Sequence, residues 1–385
     1  MRPTNAAWFF LAALLLYGGV NIYLAKRLFQ CMAAALPRVN VPVFAGVYAF
    51  IALSLFLSLI PLPSAVKDAM RGLGSYWAGF FIYSLMFFIA ADAAITACRL
   101  WKIIPSPIPP GIRLYAGLVA ISLTLALIIY GAINANHLRI TSYDVSLRGK
   151  SLPGGMKIEL VSDLHLGATG SEKRLEKTVA AINEQKPDLV CMAGDIFNDS
   201  YPAVRDPERV SLLFKSISAT HGVYACLGNH DGGKTLGEMT ALLQRSNVNL
   251  LNDDYVVIDG RIALIGRLDG RPIGGFGGMR RGDISGMMES IDKSLPIIVM
   301  DHNPKSIHSY QNGSADLVLS GHTHRGQLFP ANLITKAIYA ADYGRYQKEA
   351  GSPILIVTSG AGTWGPPMRV GTFCEVASIS VSTTR

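Results

Sequence analysis

Two stretches decide how this chain is read: Ile158-Glu159-Leu160-Val161-Ser162-Asp163-Leu164-His165 and, far downstream, Leu317-Val318-Leu319-Ser320-Gly321-His322-Thr323-His324. Each opens as a short apolar run with the residue types of a buried β-strand and ends abruptly in groups that bind metals or move protons. Three runs between them share this build. Leu189-Val190-Cys191-Met192-Ala193 leads into Gly194-Asp195, and Val223-Tyr224-Ala225-Cys226-Leu227 into Gly228-Asn229-His230-Asp231. Ile297-Ile298-Val299-Met300 leads into Asp301-His302-Asn303-Pro304. One such cluster alone is an ordinary polar turn. Five in series, holding five of the eight histidines, are not explained by turn chemistry.

Functional groups in α/β sheets gather at the carboxyl ends of strands, so the five clusters are expected to converge in one cleft. Residues i and i+2 of an extended chain point the same way, about 6.6 Å apart. Asp163 with His165, and His322 with His324, would then each aim two ligands at one place. Carboxylate plus imidazole is a borderline-hard donor set suited to Mn, Fe or Zn. Two such ions about 3.5–4 Å apart form a clamp for in-line attack on phosphorus.

The surrounding pattern fits this frame. Strands are expected at 157–162, 188–193, 222–227, 261–266, 296–300 and 316–320. Amphipathic helices are expected at 171–185, with Leu175, Val179 and Ile182 inward, at 207–218 and at about 235–245. The second is opened by Asp206 as N-cap and Pro207 at the first helical position, and turns Val210, Leu213, Phe214 and Ile217 inward. The order is α/β first and strand-dense later, over about 240 residues, enough for one large core. The glycine-rich stretch 270–282 reads as a loop at the rim of the cleft and does not form a phosphate-binding fingerprint.

Upstream of 138 the composition changes. Apolar stretches at 7–25, 41–62, 76–98 and 112–134 each approach the roughly 20 residues that cross a bilayer as a helix. Tyr17, Tyr23, Trp77, Trp101 and Tyr115 fall near their ends, and Pro61, Pro63, Pro105, Pro107, Pro109 and Pro110 punctuate the connections. A cleaved signal peptide would not be followed by three further spans, so the first stretch is also read as a span. The expected organisation is a four-helix transmembrane region at 1–137 and an α/β domain at 138–385.

Charge follows the same division. Residues 1–135 carry nine Lys/Arg against Asp68 and Asp92, so almost all of the formal +8 lies in the apolar third. The remainder is nearly neutral, which argues against a nucleic-acid partner. Half of the residues are apolar and 16% are charged, which excludes a disordered chain. The loops after spans one and three hold Lys26, Arg27, Arg38, Arg99, Lys102 and Arg113; the other side holds Arg2, Lys67, Arg71, Arg139, Arg148 and Lys150, and assigning Arg148 and Lys150 to the folded domain leaves six against four. That imbalance places the two loops in the cytoplasm, and both termini with the large domain on the other side. Asp92 inside span three is read as an interior carboxylate paired with a hydroxyl or with Arg99. No repeat relates the spans, so a transporter core is not indicated. The five cysteines show no zinc or redox spacing.

The ordered motifs Asp-x-His, Gly-Asp, Gly-Asn-His-Asp, a later His, and Gly-His-Thr-His resemble the calcineurin-like metallophosphoesterase superfamily. The resemblance covers about 138–385. It is nearest to a branch with an N-terminal membrane anchor, where 360–369 (Gly-Ala-Gly-Thr-Trp-Gly-Pro-Pro-Met-Arg) has a counterpart. It implies a two-sheet α/β/β/α sandwich and two divalent cations. Asp163, His165 and His324 would hold the first, Asn229, His302 and His322 the second, and Asp195 would bridge them. His230 would be the general acid, and a hydroxide bridging the metals the nucleophile. The implied activity is hydrolysis of a phosphodiester or phosphoanhydride; the membrane tether adds the bilayer as partner and a lipid-linked substrate as an expectation. The competing reading is a catalytically silent membrane receptor or scaffold that kept the fold.

Two features depart from the family pattern. Its second motif often reads Gly-Asp-x-x-Asp, whose last Asp orients the catalytic His; here position 198 is Asn, followed by Asp199, and either is a candidate for that role. Arg325 and Arg369 are candidates for bidentate contact with a substrate phosphate, with a surface position the simpler reading of both.

Overall fold

Alternating strands and amphipathic helices close, in a computed structural model, into two stacked six-stranded sheets. The structure describes residues 3–36, 38–310 and 315–384. Arg2, used in the charge count, lies outside the described residues. The chain divides into two units, Met1–Tyr130 and Gly131–Arg385.

The first unit is helical: α1 (Pro3–Ala35), α2 (Val41–Leu57), α3 (Ser64–Leu100) and most of α4 (Pro110–Asn134). Three of these helices are long and apolar enough to cross a membrane. The expected span at 41–62 is shorter than its hydropathy suggested. Asn40 caps α2 by accepting from the Val43 amide at 3.1 Å, and Pro61 and Pro63 follow its end. Its 17 residues rise about 25 Å, short of a hydrocarbon core of about 30 Å. Asp92 has the expected hydroxyl partner, Tyr23 at 2.7 Å, but its cation is Arg27 at 2.5 Å and not Arg99. The nearest arginine in sequence thus yields to one on a neighbouring helix.

The second unit begins within the last turn of α4, seven residues before the expected boundary. The physical reason is Asn134: its amide donates to the carbonyls of Arg369 at 3.0 Å and Thr372 at 2.7 Å. After α4 come β1 (Leu138–Arg148), β2 (Met156–Val161), α5 (Ser171–Gln185), β3 (Leu189–Ala193), α6 (Pro207–Lys215) and β4 (Val223–Cys226). Then follow α7 (Leu236–Arg245), β5 (Val248–Leu250), β6 (Asp254–Ile258), β7 (Ile262–Gly266), α8 (Ser285–Glu289) and β8 (Ile297–Met300). The chain finishes with β9 (Leu317–Ser320), α9 (Ala331–Ile338), β10 (Gly344–Tyr346), β11 (Ile354–Val357) and β12 (Cys374–Thr384). All six expected strands are present within a residue or two of their expected ends. Asp206 caps α6 at 2.9 Å, but α6 stops at Lys215, where the Ser216 amide closes the last turn.

One sheet runs β1-β12-β2-β3-β4-β5 and the other β10-β11-β9-β8-β7-β6. The segments β2, β3, β4 and β5 are mutually parallel, as are β7, β8, β9 and β11. Ile158, Leu160, Cys191, Leu264, Ile298, Leu319 and Ile356 form the layer between the sheets, which explains the thiol at 191 as a small core residue. The opposite face of the first sheet packs against Leu175, Val179, Ile182, Val210, Phe214 and Leu242 of α5 to α7. Glu375, at the start of β12, is fully buried and joins the sheets. It accepts from Thr141 on β1 (2.6 Å), Tyr343 (3.1 Å), and the Thr358 hydroxyl and Ser359 amide after β11 (both 2.9 Å).

Glu159 on β2 is also fully buried, held at 2.6 Å by the Ser378 hydroxyl while its second oxygen has no partner among the described residues. Burial raises its pKa; the Ser378 bond and the charge of Lys157 offset only part of this. A carboxyl raised in the folded state favours folding when protonated, so its contribution falls as pH rises from the unfolded value of about 4.3 through the folded one. Replacing Glu159 with Gln removes that titration. Thermal unfolding of the full chain should show the E159Q variant gaining on the parent as pH rises above the unfolded carboxyl value of about 4.3. A difference independent of pH would contradict the assignment.

Candidate metal centre

The five clusters leave their strands at one end of the two sheets. Those after β2, β3 and β4 come from adjacent parallel strands of the first sheet, and those after β8 and β9 from adjacent parallel strands of the second. The chain turns sharply there. Asp163, His165, Asp195, His322 and His324 all have positive φ, between 47° and 74°. An extended run does not account for the meeting of Asp163 with His165, and His322 and His324 do not aim at one place as the i, i+2 spacing suggested: His324 joins Asp163 and His165, while His322 joins Asp195 and His302. Left-handed turns, costly for residues with a Cβ and concentrated at functional sites, place these side chains instead. Glycines give the turns room: a Cβ on Gly228 would collide with the Asp195 carboxylate, and one on Gly321 with Asp163.

The side chains fall into two groups whose ligand atoms lie within 4.8 Å of one another, Asp163 with His165 and His324, and Asp195 with His302 and His322. In the first, the His165 and His324 Nε2 atoms are 3.0 Å apart, and Asp163 Oδ1 is 3.3 Å from the latter. In the second, His322 Nδ1 is 3.2 Å from His302 Nε2, which is 3.1 Å from Asp195 Oδ2. The same Asp195 oxygen lies 3.9 Å from His165 Nε2, so one carboxylate faces both groups. Asn229 is drawn toward them because the next amide, of His230, donates to Asp195 at 2.8 Å. The Asn229 side-chain oxygen, Oδ1, is buried without a hydrogen-bond partner among the described residues.

The electrostatics favour cations. Burial pushes His165 and His322 down to about 3. His324 is also held well below its usual range, first by burial and then by the charge of Arg369. These three imidazoles are neutral, with lone pairs to give. Asp163 is raised to about 6 by burial, partly countered by His302. Burial also works against ionised Asp195 and charged His302, but their mutual attraction prevails, leaving the carboxylate acidic and the imidazole protonated. A divalent cation bound there would take the place of that proton. The neutral imidazoles, two acidic oxygens and an orphaned amide oxygen fit two divalent ions; the native metal is not fixed by this donor set.

A supporting layer orients the ligands. His302 Nδ1 donates to the Ala193 carbonyl at 2.8 Å, which leaves Nε2 as the ligand atom. Asp163 accepts from the His322 amide. Asp231 accepts from the amides of Phe197 (2.7 Å) and Gly228 (2.8 Å), tying the second cluster to the third. His230 Nδ1 is 2.7 Å from Asp199, which decides between the two acid-motif candidates: Asp199, one residue later than the family pattern, takes the orienting position. Burial lowers the His230 pKa, but the Asp199 bond and the Asp195 charge outweigh it and raise the imidazole above its ordinary value.

The two arginines differ from the surface reading. Arg325 is half-buried and lies over the rings of Tyr343 (4.4 Å) and Phe373 (5.5 Å). Arg369 is fully buried; it donates to the His324 carbonyl at 2.9 Å and to the Gly362 carbonyl at 2.6 Å, and its Nη2 lies 3.1 Å from His324 Nδ1. A lone arginine in a Gly/Pro-rich loop gives no local sign of this.

Beside the second group opens a cavity of about 420 Å³, lined by Asn229, His322, Asp269, Arg271, Lys305 and Tyr339. The loop at 270–282 forms part of its rim, as expected. Sequence reading did not single out Asp269, Lys305 or Tyr339, because their neighbours along the chain carry no motif.

Two stacked sheets with two candidate metal-ligand groups at one end form a metallophosphoesterase fold. Residues 156–326 match the family of calcineurin-like phosphoesterases, and the chain carries a calcineurin-like metallophosphoesterase domain. It is similar to an uncharacterized metallophosphoesterase of Campylobacter jejuni, 28% identical over 96% of both chains. It is also similar to a transmembrane protein with metallophosphoesterase domain from Danio rerio, 26% identical over 96% of this chain and 87% of that one. An uncharacterized metallophosphoesterase of Helicobacter pylori is 32% identical over 58% of each chain.

Arg369→Lys keeps the charge but loses the planar fork that holds the His324 carbonyl and Gly362 together. Metal titration of the purified chain should show one of two ions bound at least about tenfold more weakly, as for other residues that orient metal ligands. Equal affinity for both ions in variant and parent would show that His324 is fixed without it.

Proposed function

We propose that the chain is a membrane-bound, metal-dependent phosphoesterase that hydrolyses a phosphodiester or phosphoanhydride. The observation that carries this reading is the single Asp195 carboxylate facing two ligand groups, with His230 beside it. Asp163, His165 and His324 would hold one ion, and Asn229, His302 and His322 the other, with Asp195 shared. When bound, the two ions supply a strong nucleophile from water and neutralise the growing charge on phosphorus.

The chain's own residues do the rest. His230, raised above its usual pKa and steered by Asp199, holds a proton for the departing oxygen and adds positive charge beside the phosphoryl group. Arg271 and Lys305 supply positive charge to the cavity beside His322 and suit an anionic substrate. Three apolar helices of spanning length support the bilayer as partner, and the excess of basic residues toward the ends of α1 and α3 and in the segments that follow them supports a domain on the non-cytoplasmic side. A tethered hydrolase meets membrane-bound phosphate esters at high local concentration, which favours a lipid-linked substrate.

The test uses the full chain in detergent with Mn and a nitrophenyl phosphodiester. Turnover should require metal and vanish on chelation. His230→Asn should lower kcat about a hundredfold with two ions still bound, and Asp199→Asn about tenfold with KM little changed. A folded chain holding two ions and giving no turnover would favour the silent receptor instead.

A further inference from the structure

The helix α9 is built inside out for a surface helix. None of its eight residues is buried, and Leu333, Ile334 and Ile338 are 57%, 59% and 52% exposed. At about 100° per residue, Leu333, Ile334, Ala337 and Ile338 share one arc, which faces outward. Ala331, Asn332 and Thr335 share the other; they are half-buried, and Thr335 donates to Asp342 at 2.7 Å. The polar side packs down and the apolar side meets solvent, the reverse of the usual arrangement. Two large rings extend the patch: Phe329 is 42% exposed and Trp364 53%. The Gln327 side chain ties the Trp364 loop to this segment through the carbonyls of Trp364 (2.7 Å) and Pro366 (3.0 Å).

What covers this face follows from where it lies. The Phe329 amide donates to the Val370 carbonyl at 2.9 Å, and the Arg369 amide to the Gly131 carbonyl at 2.9 Å. Gly131 begins the last turn of α4, the most apolar of the long helices, and Ile133 in that turn is 57% exposed. The patch therefore starts where an apolar helix of spanning length gives way to the α/β unit. At its other end it reaches the metal centre. Tyr339, directly after α9, has its ring 6.2 Å from that of His322, and Trp364 has its ring 5.9 Å from that of His230. Exposed Lys336 on the flank of α9 offers a cation to anionic headgroups.

We propose that the outward face of α9, with Phe329 and Trp364, is seated in the interfacial layer of the bilayer. The metal centre then opens at headgroup level, and its substrate is a phosphate ester carried on a membrane amphiphile. This rests on the reading above that α4 spans the membrane and that the metal centre hydrolyses phosphate esters. A tryptophan and aliphatic side chains at the exit of a span match the chemistry of the headgroup boundary. The phosphate end of an amphiphile reaches the cations while its chains stay in lipid.

Two readouts on the full chain test this, in vesicles of phosphatidylcholine with a minor share of phosphatidylglycerol. The first is the emission of Trp364, taken as the parent minus the W364F variant. It should fall about twofold when the acyl chains carry bromine, and the fall should vanish in an L333S/I334S/I338S variant. The second is turnover of a soluble nitrophenyl phosphodiester against a phosphorylated amphiphile in the vesicle. The triple variant should keep the first rate and lose about tenfold of the second. Trp364 emission indifferent to bromine, as expected if the face meets water or a second copy of the chain, overturns the membrane seat whatever the turnover. Equal loss on both substrates overturns the amphiphile as substrate. Quenching with no turnover of either substrate supports the seat and counts against the phosphoesterase reading alone.

Discussion

One carboxylate organises the centre. Asp195 lies between His165, carried on the same sheet, and His302, carried on the other, and it also accepts from the His230 amide. The group is costly to bury: burial works against ionised Asp195 and charged His302 alike, and against protonation of His165, His322 and His324. The protein holds it together by backbone constraint. Positive-φ turns at five ligand positions and glycines without room for a Cβ are local costs, accepted where strands from two sheets converge.

That constraint explains the supporting structure. A ligand that must present one ring nitrogen needs a fixed partner on the other, which the Ala193 carbonyl provides for His302. Loops that carry ligands must be tied to one another, and buried Asp231 does this between the second and third clusters. Arg369 is the most extended example. It braces the ligand His324, while its own carbonyl accepts from Asn134 in the last turn of α4. Candidate ligand His324 and the end of an apolar helix are thereby joined through one buried residue, by its side chain on one side and its backbone carbonyl on the other.

Some of the site was legible in the chain because ligand-bearing clusters directly follow apolar runs, and that coupling of strand end to polar motif is local. The six expected strands and three expected helices were legible for the same reason: each depends on periodicity within about a dozen residues. Asp199 could be nominated beside Asn198 but not chosen, since the choice depends on where the His230 ring comes to rest. The hydroxyl partner expected for Asp92 is supplied by Tyr23, whereas its cation, Arg27, comes from another helix that no spacing along the chain points to. The short reach of α2 was hidden by hydropathy, which does not register where the prolines stop a helix.

The sequence by itself determined the division into an apolar helical region and an α/β unit, the order of strands and motifs, and the inventory of metal-binding side chains. Composition and short-range pattern carry that information. Only the tertiary structure decided which oxygen faces both ligand groups, that Arg369 is a buried brace, and that α9 turns its apolar side outward beside the metal centre. Those outcomes depend on contacts between residues far apart in the chain. Such contacts form only when both sheets close, and no window of sequence records their geometry.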